Sequence, residues 1–313
     1  MPIFALAAAA GLASALFYAM PYMTGSLGSL FFAQLAQLPL FVIGLWMGFV
    51  GAALAAAAAI IALALAGGMF FALAYTAINA LPAVAMTYLA QLNRPGAEGG
   101  TEWYPAGALV GWLVGVALAA FGVYVIGFSG TEQGAEGAIR SFVEAALKHM
   151  TSAGLVAGDP VRLAPTIAHV LPGVVANSWI AMVVLNAVLA QALLGRLRRN
   201  LRPAPRMAEI DLPGWMRGLA VIALAASFFP GLAGFGGVNL LLILGGAFVL
   251  AGLGVFHAMA ERLPHAPLPL IAFYGAVTLA WPVLGPIVIV ASALLGAAEP
   301  WLNLRRRFGG SGT

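Results

Sequence analysis

The chain has 313 residues, of which 63% are hydrophobic and 8% charged, with a net charge of +4 and a mean hydropathy of +1.01. Soluble domains carry about 25% charged residues, so this composition excludes a soluble globular protein. Because the chain has no cysteine, it cannot form a disulfide, a thiolate metal site or a cysteine nucleophile.

Apolar runs of about 20 residues predict several membrane helices, since each run is apolar on every face. The first run, residues 3–20, lacks a basic N-terminal region and is followed by more apolar sequence, which favours a membrane span over a signal peptide. Residues 30–66 would measure roughly 55 Å as one helix, far more than a hydrocarbon core of about 30 Å. They are therefore predicted to fold back near Gly48–Gly51, giving spans two and three.

The predicted spans continue after Gly67 and Gly68, and polar segments separate them. Span four is followed by a loop at residues 93–105. The predicted spans four to eight cover residues 69–91, 106–128, 173–195, 214–230 and 237–259. Residues 267–303 are too long for one crossing, and WPVLGP at 281–286 divides them into two short spans. The preferred prediction is an all-α, polytopic helical transmembrane bundle of ten spans in a single integral membrane domain, residues 1–313.

A long non-spanning segment, residues 129–172, is predicted to be an extracytoplasmic loop with two amphipathic surface helices. In the first helix, charged residues recur every fourth position, and apolar residues gather on a separate face. The charged residues are Glu136, Arg140, Glu144 and Lys148, and the apolar ones are Ile139, Phe142, Val143, Ala146 and Met150. This pattern predicts a helix at the membrane surface or at the mouth of the bundle. The prolines that flank VRLAPTIAHVLP predict a second, separate helix.

Ten spans place both termini in the cytoplasm, and the basic residues support that topology. One side carries eleven arginines: Arg94, Arg196, Arg198, Arg199, Arg202, Arg206, Arg217, Arg262, Arg305, Arg306 and Arg307. The other side carries only Arg140, Lys148 and Arg162. Residues 196–213 thus form a basic cytoplasmic loop, and the positive charge reflects topology rather than nucleic-acid binding. Eight or nine crossings with re-entrant segments are the alternative.

Catalytic motifs are absent from the sequence, which predicts that the protein is not an enzyme. The four histidines have no metal-ligand spacing, so neither a metal nor a cofactor is expected. The segment GFSG at 127–130 resembles the serine motif of rhomboid proteases, but a serine nucleophile needs a histidine within hydrogen-bond reach. Ser129 and His257 are predicted at opposite membrane faces, so GFSG is interpreted as a helix end with glycine stops.

Uncharged polar residues inside the spans are the candidate substrate-binding residues. They are Gln34, Gln37, Tyr75, Asn79, Asn177, Ser178 and Asn186. Gln34 and Gln37 are predicted to share a helix face and, with Tyr75, Asn79, Asn177, Ser178 and Asn239, to lie in the outer half of the membrane. Asn177 and Asn186 are nine residues apart, about half a turn out of phase, so a straight helix cannot aim both at one pocket. Hydrogen bonding between helices is the alternative role for each residue.

Small residues recur every fourth position on span one in two rows that permit close helix approach. The rows are Ala5, Ala9 and Ala13, and Ala7, Gly11 and Ala15. The first row is also a candidate surface for docking a partner protein.

Four segments in this order resemble the YybS-like family of predicted bacterial membrane proteins, which is uncharacterised. They are GSLGSLFF, LPLFVIGLWMGFVGAALA, VLPGVVANSWIAMVVLNAVLAQALLGRLRR with Asn186, and LLGAAEPWLNLRRR. The chain departs from the family at Glu299 and Leu304, where aspartate and phenylalanine are frequent. The family is in turn distantly similar to the substrate-capture (S) components of energy-coupling-factor transporters and to the rod-shape protein MreD.

This resemblance implies an S-component-like helical core in the bacterial inner membrane, without a vitamin-specific signature. It also implies that Ala5, Ala9 and Ala13 face a membrane partner protein. The expected function is binding of a small solute from the outer side for uptake, with the lipid bilayer as the other partner. The alternative is a non-transporting envelope scaffold or assembly factor. Capture predicts that Gln34, Gln37, Tyr75 and Asn79 face one cavity, whereas scaffolding predicts that they pair between helices.

Overall fold

The computed structural model describes residues 3–96, 100–154, 159–261, 263, 265, 267–304 and 307. Apart from one two-stranded hairpin, the regular structure of these residues is helical, which confirms the all-α prediction. The chain divides into two compact units. The first contains Met1–Leu109 and Trp179–Pro205, and the second contains Val110–Ser178 and Arg206–Thr313. Three arginines used in the topology argument, Arg262, Arg305 and Arg306, lie outside the described residues.

The first unit contains the predicted spans one to four, with two of them interrupted. Its helices are α1 (Ile3–Thr24), α2 (Ser29–Gln34), α3 (Leu38–Met47), α4 (Phe49–Gly67), α5 (Met69–Tyr75) and α6 (Leu81–Gln91), and a π-helical segment (Thr76–Ala80) joins α5 to α6. Two glycines end the predicted spans in a backbone conformation that disfavours other residues. These are Gly48, with φ +91°, and Gly68, with φ +85°.

The second small-residue row of α1 lies where α1 and α4 approach each other closely. Ala7, Gly11 and Ala15 are buried, and α1 packs along α4. A Cβ added at Gly11 would overlap the backbone oxygen of Ala55 on α4. Glycine therefore allows the two helices to approach at this point.

The segment predicted as a loop at 93–105 contains a β-hairpin that the sequence reasoning missed. Its strands are β1 (Asn93–Pro95) and β2 (Thr101–Trp103), paired antiparallel with Arg94 opposite Glu102. The two side chains form a bidentate ion pair, with Nε to Oε2 at 2.8 Å and Nη2 to Oε1 at 3.0 Å. This contact lowers the pKa of the Glu102 carboxyl.

The remaining helices lie in the second unit, apart from two helices that are divided between the units. They are α7 (Ala106–Phe128), α8 (Gly134–Ser152), α9 (Pro160–Arg196), α10 (Trp215–Ser227), α11 (Leu232–Ala260), α12 (Pro267–Leu279) and α13 (Trp281–Leu302). A short 3₁₀ turn covers Met207–Glu209. Helices α7 and α9 each contribute residues to both units.

Eight helical segments of the described chain are long and apolar enough to cross a membrane. The two shorter apolar helices, α10 and α12, have 13 residues each. At 1.5 Å per residue each is about 20 Å long, less than a hydrocarbon core of about 30 Å. All ten predicted spans are thus present as helical segments, and eight of them are long enough to cross the membrane. The break between α12 and α13 at Ala280 agrees with the division predicted at WPVLGP.

The prediction of a second, separate surface helix is wrong, because α9 runs without interruption from Pro160 to Arg196. Prolines 165 and 172 lie inside the helix rather than ending it. The amphipathic helix α8 does form, and its apolar face packs on the start of α9. The buried cluster consists of Val143, Leu147, Ala164 and Ala168. Phe142 and Met150, predicted on that apolar face, are exposed.

Asn239 of α11 explains how α9 continues past Pro172. Proline removes one backbone donor. The next backbone hydrogen bond of the helix would join the Gly173 N–H to the His169 carbonyl, and here the Asn239 side chain contacts both groups instead. The Gly173 N–H donates to Asn239 Oδ1 at 2.8 Å, and Asn239 Nδ2 donates to the His169 carbonyl at 2.8 Å. Asn239 is fully buried. The prediction missed this carboxamide bridge, which ties α9 to α11.

Candidate functional site

Span two is interrupted in its middle third, at residues 35–37, between α2 and α3. The interruption removes regular helical donors from nearby carbonyls, and other helices supply replacements. Asn186 Nδ2 of α9 donates to the Gln34 carbonyl at 2.8 Å, and Ser14 Oγ of α1 donates to the Ala36 carbonyl at 2.5 Å. Irregular backbone is tolerated in a membrane only where protein or water satisfies it in this way.

Span four is interrupted as well, by the π-helical segment Thr76–Ala80 followed by Pro82. Because proline has no N–H, the carbonyl of Ile78, four residues earlier, loses its α-helical donor. Two side chains occupy that carbonyl: Gln37 Nε2 and Trp179 Nε1, each at 2.9 Å. We call residues 35–37 together with Thr76–Ala80 the interrupted junction, since the Gln37–Ile78 hydrogen bond joins the two interruptions.

Tyr75 lies at the end of α5, next to the π-helical segment, and its side chain is fully buried. Its hydroxyl lies 2.5 Å from Ser14 Oγ. The single proton of Ser14 goes to the Ala36 carbonyl, so the Tyr75 O–H must donate to Ser14. This chain of two bonds fixes α1, α5 and the turn of span two together.

Among the described residues of the first unit, two amide oxygens are buried without a hydrogen-bond partner: Gln37 Oε1 and Asn186 Oδ1. The exposed fraction of Gln37 is 3%, and that of Asn186 is 0%. The surroundings of Asn186 fix the orientation of its amide, since Nδ2 donates to two carbonyls, Gln34 at 2.8 Å and Met182 at 2.7 Å. Rotating the amide would place an oxygen against both carbonyls. The free group at each residue is therefore an acceptor.

The other two candidates of this unit lie at the junction in different surroundings. Asn79 is buried within the π-helical segment, and its side chain has no hydrogen bond to the described residues. Gln34 is exposed, and only its backbone carbonyl is contacted by Asn186. Gln34 and Gln37, predicted to share a helix face, lie in different surroundings, because Gln34 at the end of α2 is exposed whereas Gln37 in the following turn is buried.

Asn177 and Ser178 belong to the second unit and have partners there. Asn177 Nδ2 donates to the Leu242 carbonyl of α11, and Ser178 Oγ donates to the Val174 carbonyl of its own helix at 2.9 Å. The unpaired Asn177 Oδ1 lies where a Cβ on Gly246 would be, so it packs against the backbone of that glycine. Asn177 and Asn186 thus bond to different helices, as their half-turn phase difference predicts.

Sequence reasoning missed Ser14 and Trp179, although both donate to carbonyls of the junction. Prolines in spans two and four could have indicated where the junction lies. Pro82 frees the carbonyl of Ile78, and Pro39 follows the turn of span two closely. Proline within an apolar run marks a carbonyl to which a side chain from another helix can donate.

The GFSG segment has the structural role that its position predicts. Ser129 Oγ donates to the Ile126 carbonyl at 2.7 Å, immediately after α7 ends at Phe128. His257 of α11 pairs with the Tyr274 hydroxyl at 2.9 Å. Across the described part of the chain, no group of three histidines or carboxylates is placed to hold a metal ion.

The fold and this junction define a polytopic α-helical membrane protein in which two interrupted spans meet around buried amides. The chain belongs to the family described as predicted membrane protein (DUF2232), whose model matches residues 7–294. No curated protein and no solved structure matches the chain.

Proposed function

We propose that this protein binds a small solute at the interrupted junction of its first unit, as an S-component-like capture protein of the bacterial inner membrane. The observation that carries the proposal is the pair of buried, unpaired oxygens, Gln37 Oε1 and Asn186 Oδ1. Leaving a buried polar atom unpaired costs about 1–3 kcal/mol. A bound solute that donates hydrogen bonds would recover that energy.

The interruptions of spans two and four support the same proposal. In transporters, binding sites near the bilayer midplane are typically formed by discontinuous helices. The two interrupted spans are joined by Gln37, which donates to the freed carbonyl of Ile78 and keeps its oxygen available. Uptake from the outer side, with both termini cytoplasmic, is part of this proposal and rests on the arginine distribution.

A non-transporting envelope scaffold is the second candidate, and two observations favour it. Gln37 and Tyr75 are hydrogen-bonded between helices, as scaffolding predicts. On α1, Ala5 and Ala9 are exposed while Ala13 is half-buried, so part of the first small-residue row is free to contact a membrane partner protein. Such a partner would pack against small residues that permit close approach.

Native mass spectrometry of the purified full-length protein separates the two candidates. Capture predicts a co-purified small molecule whose occupancy falls at least tenfold in a Gln37→Leu variant. The matched control is Gln91→Leu, because the Gln91 amide is paired at both ends, with the Gly44 carbonyl and the Phe49 N–H. Stable association with an envelope protein, without any solute, would contradict capture and support the scaffold.

A further inference from the structure

The membrane-embedded part of the first unit contains no side chain that is charged at neutral pH and could balance a charged ligand. Residues 3–92 and 179–195 include no Asp, Glu, Lys, Arg or His. An isolated charge moved from water into such surroundings is strongly disfavoured. A charged solute bound at the interrupted junction would therefore have no side chain of opposite charge to compensate it.

The polar groups of the junction also restrict the solute's hydrogen bonding. Asn186 uses both N–H bonds on the carbonyls of Gln34 and Met182, and Tyr75 and Ser14 use their hydroxyl protons within the protein. The buried atoms without a partner are both acceptors, Gln37 Oε1 and Asn186 Oδ1, while the Asn79 amide makes no hydrogen bond to the described residues and offers both a donor and an acceptor. A solute that offers only acceptors would leave both oxygens unpaired, whereas a solute with O–H or N–H donors would satisfy them.

The first two residues of α3 offer no free backbone N–H to an anion. Helix N-termini bind anions through free backbone N–H groups. Here the Leu38 N–H donates to the Leu35 carbonyl at 3.0 Å, and Pro39 has no N–H. The start of α6 is similar, because Leu81 donates to Thr76 and Pro82 follows it.

We propose that the solute recognised at the interrupted junction is an uncharged molecule that donates at least one hydrogen bond through O–H or N–H. This inference rests on the proposed function and specifies the chemical class of its substrate. Gln37 Oε1 and Asn186 Oδ1 accept the donated bonds. Carboxylates, phosphates and ammonium ions are disfavoured because the first unit's membrane part supplies no counter-charge.

A matched set of four fragments tests the class on the purified full-length protein. Benzamide is neutral with N–H donors, N,N-dimethylbenzamide is neutral without donors, benzoate is an anion and benzamidinium is a cation. Equilibrium dialysis against an equimolar mixture, with mass-spectrometric quantification, measures the fraction of each that is retained. We expect benzamide to be retained about tenfold more than each of the others, since one lost hydrogen bond to a buried acceptor corresponds to about that factor.

The variants identify where the fragment binds. Gln37→Leu and Asn186→Leu should each abolish the preference for benzamide, and Gln91→Leu should leave it unchanged. Preferential retention of benzoate or benzamidinium that depends on Gln37 would overturn the substrate class while leaving the proposed function intact. Equal retention of all four fragments, or of none, would also overturn the class. The proposed function itself fails separately, if no small molecule co-purifies with the protein.

Discussion

Replacing Gln37 with leucine should not destabilise the solute-free protein, although it deletes a hydrogen bond between two spans. The lost bond, Nε2 to the Ile78 carbonyl, is worth about 0.6–1.5 kcal/mol. The Ile78 carbonyl keeps the Trp179 donor, so it is not left unpaired. Removing the unpaired Oε1 recovers about 1–3 kcal/mol. The net effect is between roughly neutral and about 2 kcal/mol of added stability.

Gln91→Leu provides the matched comparison in the same unit. Its amide makes two bonds, Nε2 to the Gly44 carbonyl at 2.7 Å and Oε1 from the Phe49 N–H at 3.1 Å. No unpaired atom is relieved when it is replaced, so the variant should lose about 1–3 kcal/mol. The free energies of unfolding of the two glutamine variants should therefore differ by at least about 1 kcal/mol, with Gln91→Leu the less stable.

The assay is unfolding of each purified variant by SDS titration, after small solutes have been washed from the protein. Thermal unfolding in detergent gives an independent ranking of the same variants. The reasoning is refuted if Gln37→Leu loses as much stability as Gln91→Leu. That result would mean that both ends of the Gln37 amide are paired and that the residue serves only to hold the helices together.

Three further substitutions test helix packing inside the first unit and inside the second unit, and each is measured by the same unfolding assay. Asn239→Leu should lose about 2–4 kcal/mol, because three hydrogen bonds of a fully buried amide are removed; a loss below about 0.5 kcal/mol would contradict the bridging role. Gly246→Ala should lose about 1–3 kcal/mol through overlap with a buried amide, whereas Gly245→Ala has open space and should be neutral. Gly11→Ala should lose a similar amount by separating α1 from α4, while Gly115→Ala, also in open space, should not; equal effects would show that the close approach is not limiting.

The span boundaries could be predicted from sequence because they depend on length and on local backbone chemistry. An apolar run longer than the bilayer must turn, and Gly48 and Gly68 supply positive φ angles where it does. The amphipathic helix α8 follows from charge spacing alone. These features depend only on neighbouring residues in the chain, so one sequence is enough to find them.

The interruptions inside spans were not predicted, because they depend on partners far away in sequence. Pro82 frees the Ile78 carbonyl locally, but the donors Gln37 and Trp179 come from other helices. Conversely, Pro172 was expected to separate two helices, yet α9 continues because Asn239 bridges its backbone. The same residue type thus interrupts one span and is tolerated in another, and long-range hydrogen bonds decide between the outcomes.

Several of the candidate polar residues are buried, but the sequence did not predict the orientation of their side chains. Gln37, Tyr75, Asn79 and Asn186 are all buried in the first unit. Gln34 is exposed. Its exposure was not predicted, because no glycine in the apolar run marks the end of α2. Polarity within a membrane segment indicates burial, whereas the direction of a side chain depends on where the helix stops.

An experimental density map of the wild-type protein in lipid nanodiscs tests the central claim most directly. Solute capture predicts non-protein density within about 3 Å of Gln37 Oε1 or Asn186 Oδ1, and its loss in the Gln37→Leu variant. A map in which both oxygens accept hydrogen bonds from protein groups or from water alone, with no other density beside them, would contradict it.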